Sequence, residues 1–230
     1  MAVGVLDAGQ AALRRFWRPF AFIQLVAVAL VVAYHLDPRV RDVCAALAAW
    51  KTAGGLPLAA ATAAFAGGIL PELAKLAAGR GRADLHGRAG EIAFNVAFFA
   101  FNGVVVDGLY RLEAHLFGDG TGATTVAAKV AFDQFVFTPP WLCLITALYL
   151  FRARGYSWTA TRPALGAGFF RDRVLPLLVP DWLFWIPMVS VVYAFPLPLQ
   201  FLLFILALAA WSLILVVIAG GESGSGTLEA

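Results

Sequence analysis

The chain has 230 residues, of which 61% are hydrophobic and 13% charged, and its net charge is +3. An ordinary soluble domain carries about 25% charged residues, so a soluble fold of this size could not hide its apolar surface, and a soluble enzyme is excluded. The arginines punctuate apolar runs instead of gathering in one patch, which argues against nucleic acid as a partner and leaves the lipid bilayer as the solvent.

About 20 apolar residues carry a helix across the hydrocarbon core. By that ruler the spans predicted, in chain order, are segment A (Pro19–Leu36), segment B (Leu56–Ala78), segment C (Glu91–Phe117), segment D (Val126–Phe151), segment E (Val174–Phe195) and segment F (Leu197–Ala219). No strand-like alternation of about ten residues recurs. The expected fold is all-α: a polytopic helical membrane protein with about six hydrophobic segments in one bundle and proline-broken helices in its second half. Residues 1–40 read as an N-terminal segment with an extra transmembrane helix, 41–219 as the main helical domain, and 220–230 as a flexible Gly/Ser-rich tail.

Arg14, Arg15 and Arg18 precede segment A, whose apolar run is long for a signal peptide and lacks a following small-x-small site; it reads as a retained span. Between A and B, Arg41, Asp42 and Lys51 alternate with Val43, Leu47 and Trp50. At 100° per residue the three apolar residues share a face, which predicts a short interfacial helix over 37–55 rather than a span. The positive-inside rule supports six spans with both ends inside. Three Lys/Arg before A, four around the B–C connection and five between D and E then lie on the inner side. Three between A and B and two between C and D lie outside.

Charge inside a span costs about 2.5–3.5 kcal/mol at its centre, so each polar group there needs a reason. On segment C, with Glu91 at 0°, Asn95 falls at about 40°, Asn102 at about 20° and Glu113 at about 40°. This stripe should face protein or water. It is either the wall of a solute path or a helix–helix interface joined by hydrogen bonds. Asp107 and Arg111, opposite the stripe and four residues apart, read as a local ion pair near the membrane boundary. On segment D, Lys129 can neutralise Asp133, Gln134 follows, and Pro139-Pro140 should kink the helix and free carbonyls near Phe135 and Val136. Glu91, Asn95, Asn102, Lys129, Asp133 and Gln134 are therefore the pore-lining candidates. In segment B, Gly67-Gly68 permits close helix contact and Glu72 with Lys75 forms an i,i+3 pair. In segment E, Trp182 and Trp185 suit interface anchors.

Nothing nominates a catalytic site. His35, His86 and His115 sit at segment ends or in loops, Cys44 and Cys143 lie singly in apolar runs, and no phosphate-binding glycine loop occurs. Gly221-Glu222-Ser223-Gly224 matches a serine-protease pattern but lies beyond the last span, where no histidine can reach it. No metal, cofactor or enzyme activity is expected.

Segments C to E resemble a known family. Asn102-Gly103 through Asp107-Gly108-Leu109-Tyr110-Arg111 is similar to one of its stretches, with Gly103 and Tyr110 matching. The run from Lys129 to Pro139, with Asp133-Gln134 inside it, is close to its Lys…Asp-Gln…Pro signature. Trp182-Leu183-Phe184-Trp185-Ile186-Pro187, then Pro198 and Trp211, is similar to a third block. This is the family of the twenty-two-kilodalton peroxisomal membrane protein and its mitochondrial inner-membrane relatives. The resemblance covers residues 41–219. Departures at Val104, Asp107, Leu109, Ser190, Tyr193 and Leu202 mark a distant member. The resemblance implies a compact helical membrane protein forming a channel for small solutes. The expectation is thus a membrane channel or pore for a small molecule or ion, acting as one bundle or as a homo-oligomer. The alternative is a non-conducting scaffold or lipid-interacting protein. A bacterial inner membrane is expected from the Ala/Gly/Arg-rich composition, or a mitochondrial inner or peroxisomal membrane in a eukaryote.

Overall fold

The computed structural model describes residues 21–79 and 88–222. Among them there is no strand. Seven helices follow in order: α1 (Ala21–Leu36), α2 (Pro38–Ala77), α3 (Ala89–Phe117), α4 (Ala123–Ala153), α5 (Trp158–Thr161), α6 (Phe170–Val192) and α7 (Leu197–Glu222). Five of these, α2, α3, α4, α6 and α7, are long and apolar enough to cross a membrane, and α1 is a shorter apolar helix. The fold is all-α and polytopic, that of an integral membrane protein. Segments C to F match α3, α4, α6 and α7 to within a turn. The start of segment A, Arg80, Arg82 and His86 in the B–C connection, and 223–230 of the expected tail lie outside the described residues. Helix α7 itself runs through Glu222, past the predicted end at Ala219.

Helix α2 carries the expected 37–55 helix and segment B in sequence over 40 residues, and the two are divided at the expected place by a kink where Gly55 takes φ 53° and ψ −143°. Pro57 explains the bend: its ring excludes the carbonyl four residues back and disfavours helical geometry just before it. Only glycine adopts the required positive φ cheaply. The helix starts at Asp37, whose carboxylate accepts from the Arg39 amide at 2.8 Å, an N-cap followed by Pro38 at the first position.

Three π-turns interrupt the long helices, at Ala64–Ile69, Asp133–Phe137 and Phe170–Val174. Each ends two residues before a proline: Pro71, Pro139 and Pro176. A proline has no N–H and clashes with the carbonyl four residues earlier. Widening the preceding turn relieves that clash while the helix continues. The predicted kink at Pro139-Pro140 is taken up in this way.

The described residues fall into two compact units. One contains the chain up to Val26 with Gly122–Val191; the other contains Ala27–Thr121 with Val192 onward. In the second unit α2, α3 and α7 pack on one another. Small residues set that contact. A Cβ on Gly103 of α3 would stand 2.5 Å from the Ala63 Cβ of α2 and would also meet the Ala59 carbonyl. A Cβ on Gly68 would stand 2.8 Å from Val96 Cα. Ala59, Ala63 and Ala66 are buried beside them. Close approach through Gly and Ala is how helices gain contact in lipid. Tyr110, farther along the same helix, is buried edge-on against Tyr193 and Phe204, with centroids at 5.5 and 6.3 Å. In the first unit the second half of α4 packs on the start of α6 and on α5, and Gln24 of α1 donates to the Phe184 carbonyl of α6 at 3.1 Å.

Candidate functional site: polar groups inside the membrane helices

In the second unit the polar residues of α2 and α3 form two clusters. At one, Lys51 Nζ lies 2.5 Å from Asp107 Oδ1, and Arg111 Nε donates to Asp107 Oδ2 at 2.8 Å. Lys51 also stands 4.9 Å from the centroid of the Phe201 ring of α7, within cation–π range. Lys51 and Asp107 are buried, whereas Arg111 is exposed. At the other, buried Glu72 accepts from Lys75 at 2.6 Å and from Arg88 at 2.8 Å, and Arg88 Nε is 3.8 Å from Glu91. The expected Glu72–Lys75 and Asp107–Arg111 pairs are both present. Each gains a third member from another part of the chain.

Lys51 is the main correction. Helical spacing placed it among the charges that alternate with Val43, Leu47 and Trp50 and named no partner for it, yet it is 3% exposed and held by Asp107. The stripe on α3 is uneven: Glu91 and Asn95 are half-buried, and Asn102 and Glu113 are buried. Asp107, on the far side of the same helix, is buried too. The middle of α3 is thus covered on both sides, which a one-stripe reading does not anticipate.

The first unit carries Lys129, Asp133 and Gln134 on α4, all buried. The π-turn positions the last two. The Thr138 amide bonds back to the Asp133 carbonyl. The next such bond would need an N–H on Pro139, which has none, so the Gln134 carbonyl is released. The freed carbonyl accepts from the Trp182 indole Nε1 of α6 at 2.9 Å, while the Trp182 ring packs edge-on against Phe135 at 5.3 Å. Trp182 is therefore an internal donor, and the released carbonyl is one residue earlier than expected. The Thr138 hydroxyl lies 3.4 Å from Asp133 Oδ1, and half-buried Asp181 is within electrostatic reach of Asp133. The side-chain oxygen of Gln134 is buried with no hydrogen-bond partner among the described residues.

No family model, curated protein or solved structure matches this chain.

Gln200 and Gln24 are among the polar groups that the sequence did not single out. Gln200 of α7 is fully buried and donates to the Phe195 carbonyl at 2.8 Å, and Gln24 bridges to α6. Both sit alone in apolar runs, so helical spacing offers no second residue to flag them. Of the remaining motif residues, Pro187 continues α6 on an exposed face, Pro198 lies in the first turn of α7, and Trp185 stacks edge-on with Phe184 at 5.1 Å. Among the described residues no group of three His, Cys, Asp or Glu side chains is placed to hold a metal ion.

The Trp182 bond gives a direct prediction. Trp182→Phe keeps the ring but leaves the Gln134 carbonyl buried without its donor, a loss of about 1–3 kcal/mol. A thermal melt in detergent should show the drop, and Trp158→Phe, at an exposed position, should not.

Proposed function

We propose that the chain is a membrane channel or pore-like protein for small solutes, with the opened turn of α4 contributing to the path. The observation that carries this reading is the Gln134 side-chain oxygen, buried and unmatched beside buried Asp133. Buried polar atoms are nearly always hydrogen-bonded. An unmatched one, where a helix has been widened, favours a position for water or for a polar solute. Irregular backbone at membrane depth is tolerated where it is buried in protein or lines an aqueous cavity. The likeness of 41–219 to the peroxisomal and mitochondrial membrane-protein family supports the same function, and the Ala/Gly/Arg-rich composition supports a bacterial inner membrane.

Purified protein in planar bilayers is expected to give discrete conductance steps. Asp133→Asn should shift the reversal potential in a salt gradient toward less cation preference. Silent bilayers at high protein load overturn the proposal. They favour the second reading, a non-conducting scaffold or lipid-interacting protein. What speaks for that reading is the mutual neutralisation of the α2–α3 charges, in which Glu72 and Asp107 each meet two cations.

A further inference from the structure

Helix α2 is too long for one crossing. Its 40 residues extend about 60 Å at 1.5 Å per residue, twice the hydrocarbon thickness of about 30 Å. The two charged clusters indicate which part crosses. From the kink at Gly55 to Glu72 is about 26 Å along α2, and from Arg88 to Asp107 is about 28 Å along α3. No charged residue lies between Lys51 and Glu72 on α2, and between Asp107 and Arg88 on α3 there is only Glu91, at the Arg88 end. The clusters thus stand one hydrocarbon thickness apart, and Lys51 with Asp107 marks one edge.

The part of α2 before the kink, residues 38–54, has both ends held at that edge. Its far end follows Tyr34, whose ring packs at 5.0 Å on Phe195, just before α7 begins. Its near end carries Lys51, over Phe201 in the first turns of the same α7. A helix about 25 Å long with both ends at one level runs along the membrane plane. Its faces fit that placement. Val43, Leu47 and Trp50 share one face and are 61, 44 and 51% exposed. Arg41, Asp42, Ala45 and Ala49 are exposed on the opposite side. Cys44 and Lys51 point inward and are buried.

We propose that residues 38–54 form a membrane-surface helix, fastened by the Lys51–Asp107 ion pair and bent at Gly55, which lays Val43, Leu47 and Trp50 into the boundary between headgroups and acyl chains of the bilayer that the rest of the chain crosses. Such helices sit about 5–10 Å into that boundary by their apolar face. The occupant is lipid chain rather than anionic headgroup, because Arg39 and Arg41 are balanced by Asp37 and Asp42.

Single nitroxide labels at positions 43, 45, 47 and 49, in full-length protein carrying Cys44→Ala and Cys143→Ala, test this in vesicles of phosphatidylethanolamine and phosphatidylglycerol. All four labelled positions are exposed, so the labels do not enter the core. A label at Phe101, exposed in mid-α3, gives the deep reference. The ratio of oxygen to water-soluble nickel-chelate accessibility is expected to be several-fold higher at 43 and 47 than at 45 and 49, and shallower than at 101. The same profile should appear in phosphatidylcholine alone. Equal nickel accessibility at all four positions overturns the proposal. So does depth increasing steadily from 43 to 49, which means a crossing helix, or loss of both accessibilities at 43 and 47, which means a second copy covers the stripe. Insertion only in anionic vesicles overturns the apolar basis.

Discussion

Asp107→Ala is expected to destabilise the protein by about 3–5 kcal/mol, the usual consequence of leaving a buried ionic partner alone. Lys51 is 3% exposed and has its charge matched at 2.5 Å by Asp107. Without that carboxylate an ammonium is stranded among the apolar side chains of α2, α3 and α7, with only the Phe201 ring for compensation. Arg111, being exposed, can turn to water and contributes little to the loss. Most of the loss is relieved when both charges go together. Lys51→Met with Asp107→Leu restores most of the stability, because buried ion pairs are often no better than well-packed apolar residues of like volume. Chemical unfolding of the single and double variants in detergent micelles measures the difference. A single variant within about 0.5 kcal/mol of the parent, the range of ordinary surface changes, means that Lys51 is not desolvated as described.

Gly103→Ala is expected to cost about 1–3 kcal/mol, and Gly108→Ala to be neutral or to add up to about 1 kcal/mol, although both glycines lie on α3. The added methyl at 103 runs into Ala63 Cβ and the Ala59 carbonyl, backbone and Cβ atoms that no rotamer change can remove. At 108 it meets nothing within 4 Å, and only the helical preference of alanine over glycine remains. Gly67→Ala should fall between them, since the atoms in its way belong to the Phe99 ring, a side chain able to turn. Thermal melts of the three variants give the order. Were Gly103→Ala and Gly108→Ala equal, the close packing of α2 on α3 would be wrong.

The membrane character of the chain, its all-helical class and the limits of most helices follow from composition and run length alone. Lipid leaves backbone polar groups no partner but the helix itself, so an apolar stretch of about 20 residues has essentially one structure available. The i,i+3 and i,i+4 ion pairs Glu72–Lys75 and Asp107–Arg111 were legible for the same local reason, helical spacing. So was the disturbance at Pro139-Pro140, because a missing N–H is written in the residue itself.

Tertiary structure decided the rest. That Lys51 turns from the polar side of an amphipathic helix to Asp107, 56 residues away, depends on where α2 bends and on how closely Gly103 lets α3 approach. That Trp182 supplies the donor that Pro139 withholds from the Gln134 carbonyl depends on α4 and α6 meeting at that turn. Spacing along one helix reports which residues share a face, but which neighbour covers that face is fixed by packing between segments far apart in the chain. For this protein the buried charge pairing and the satisfied carbonyl are properties of that packing, whereas the helices that carry them are properties of the sequence.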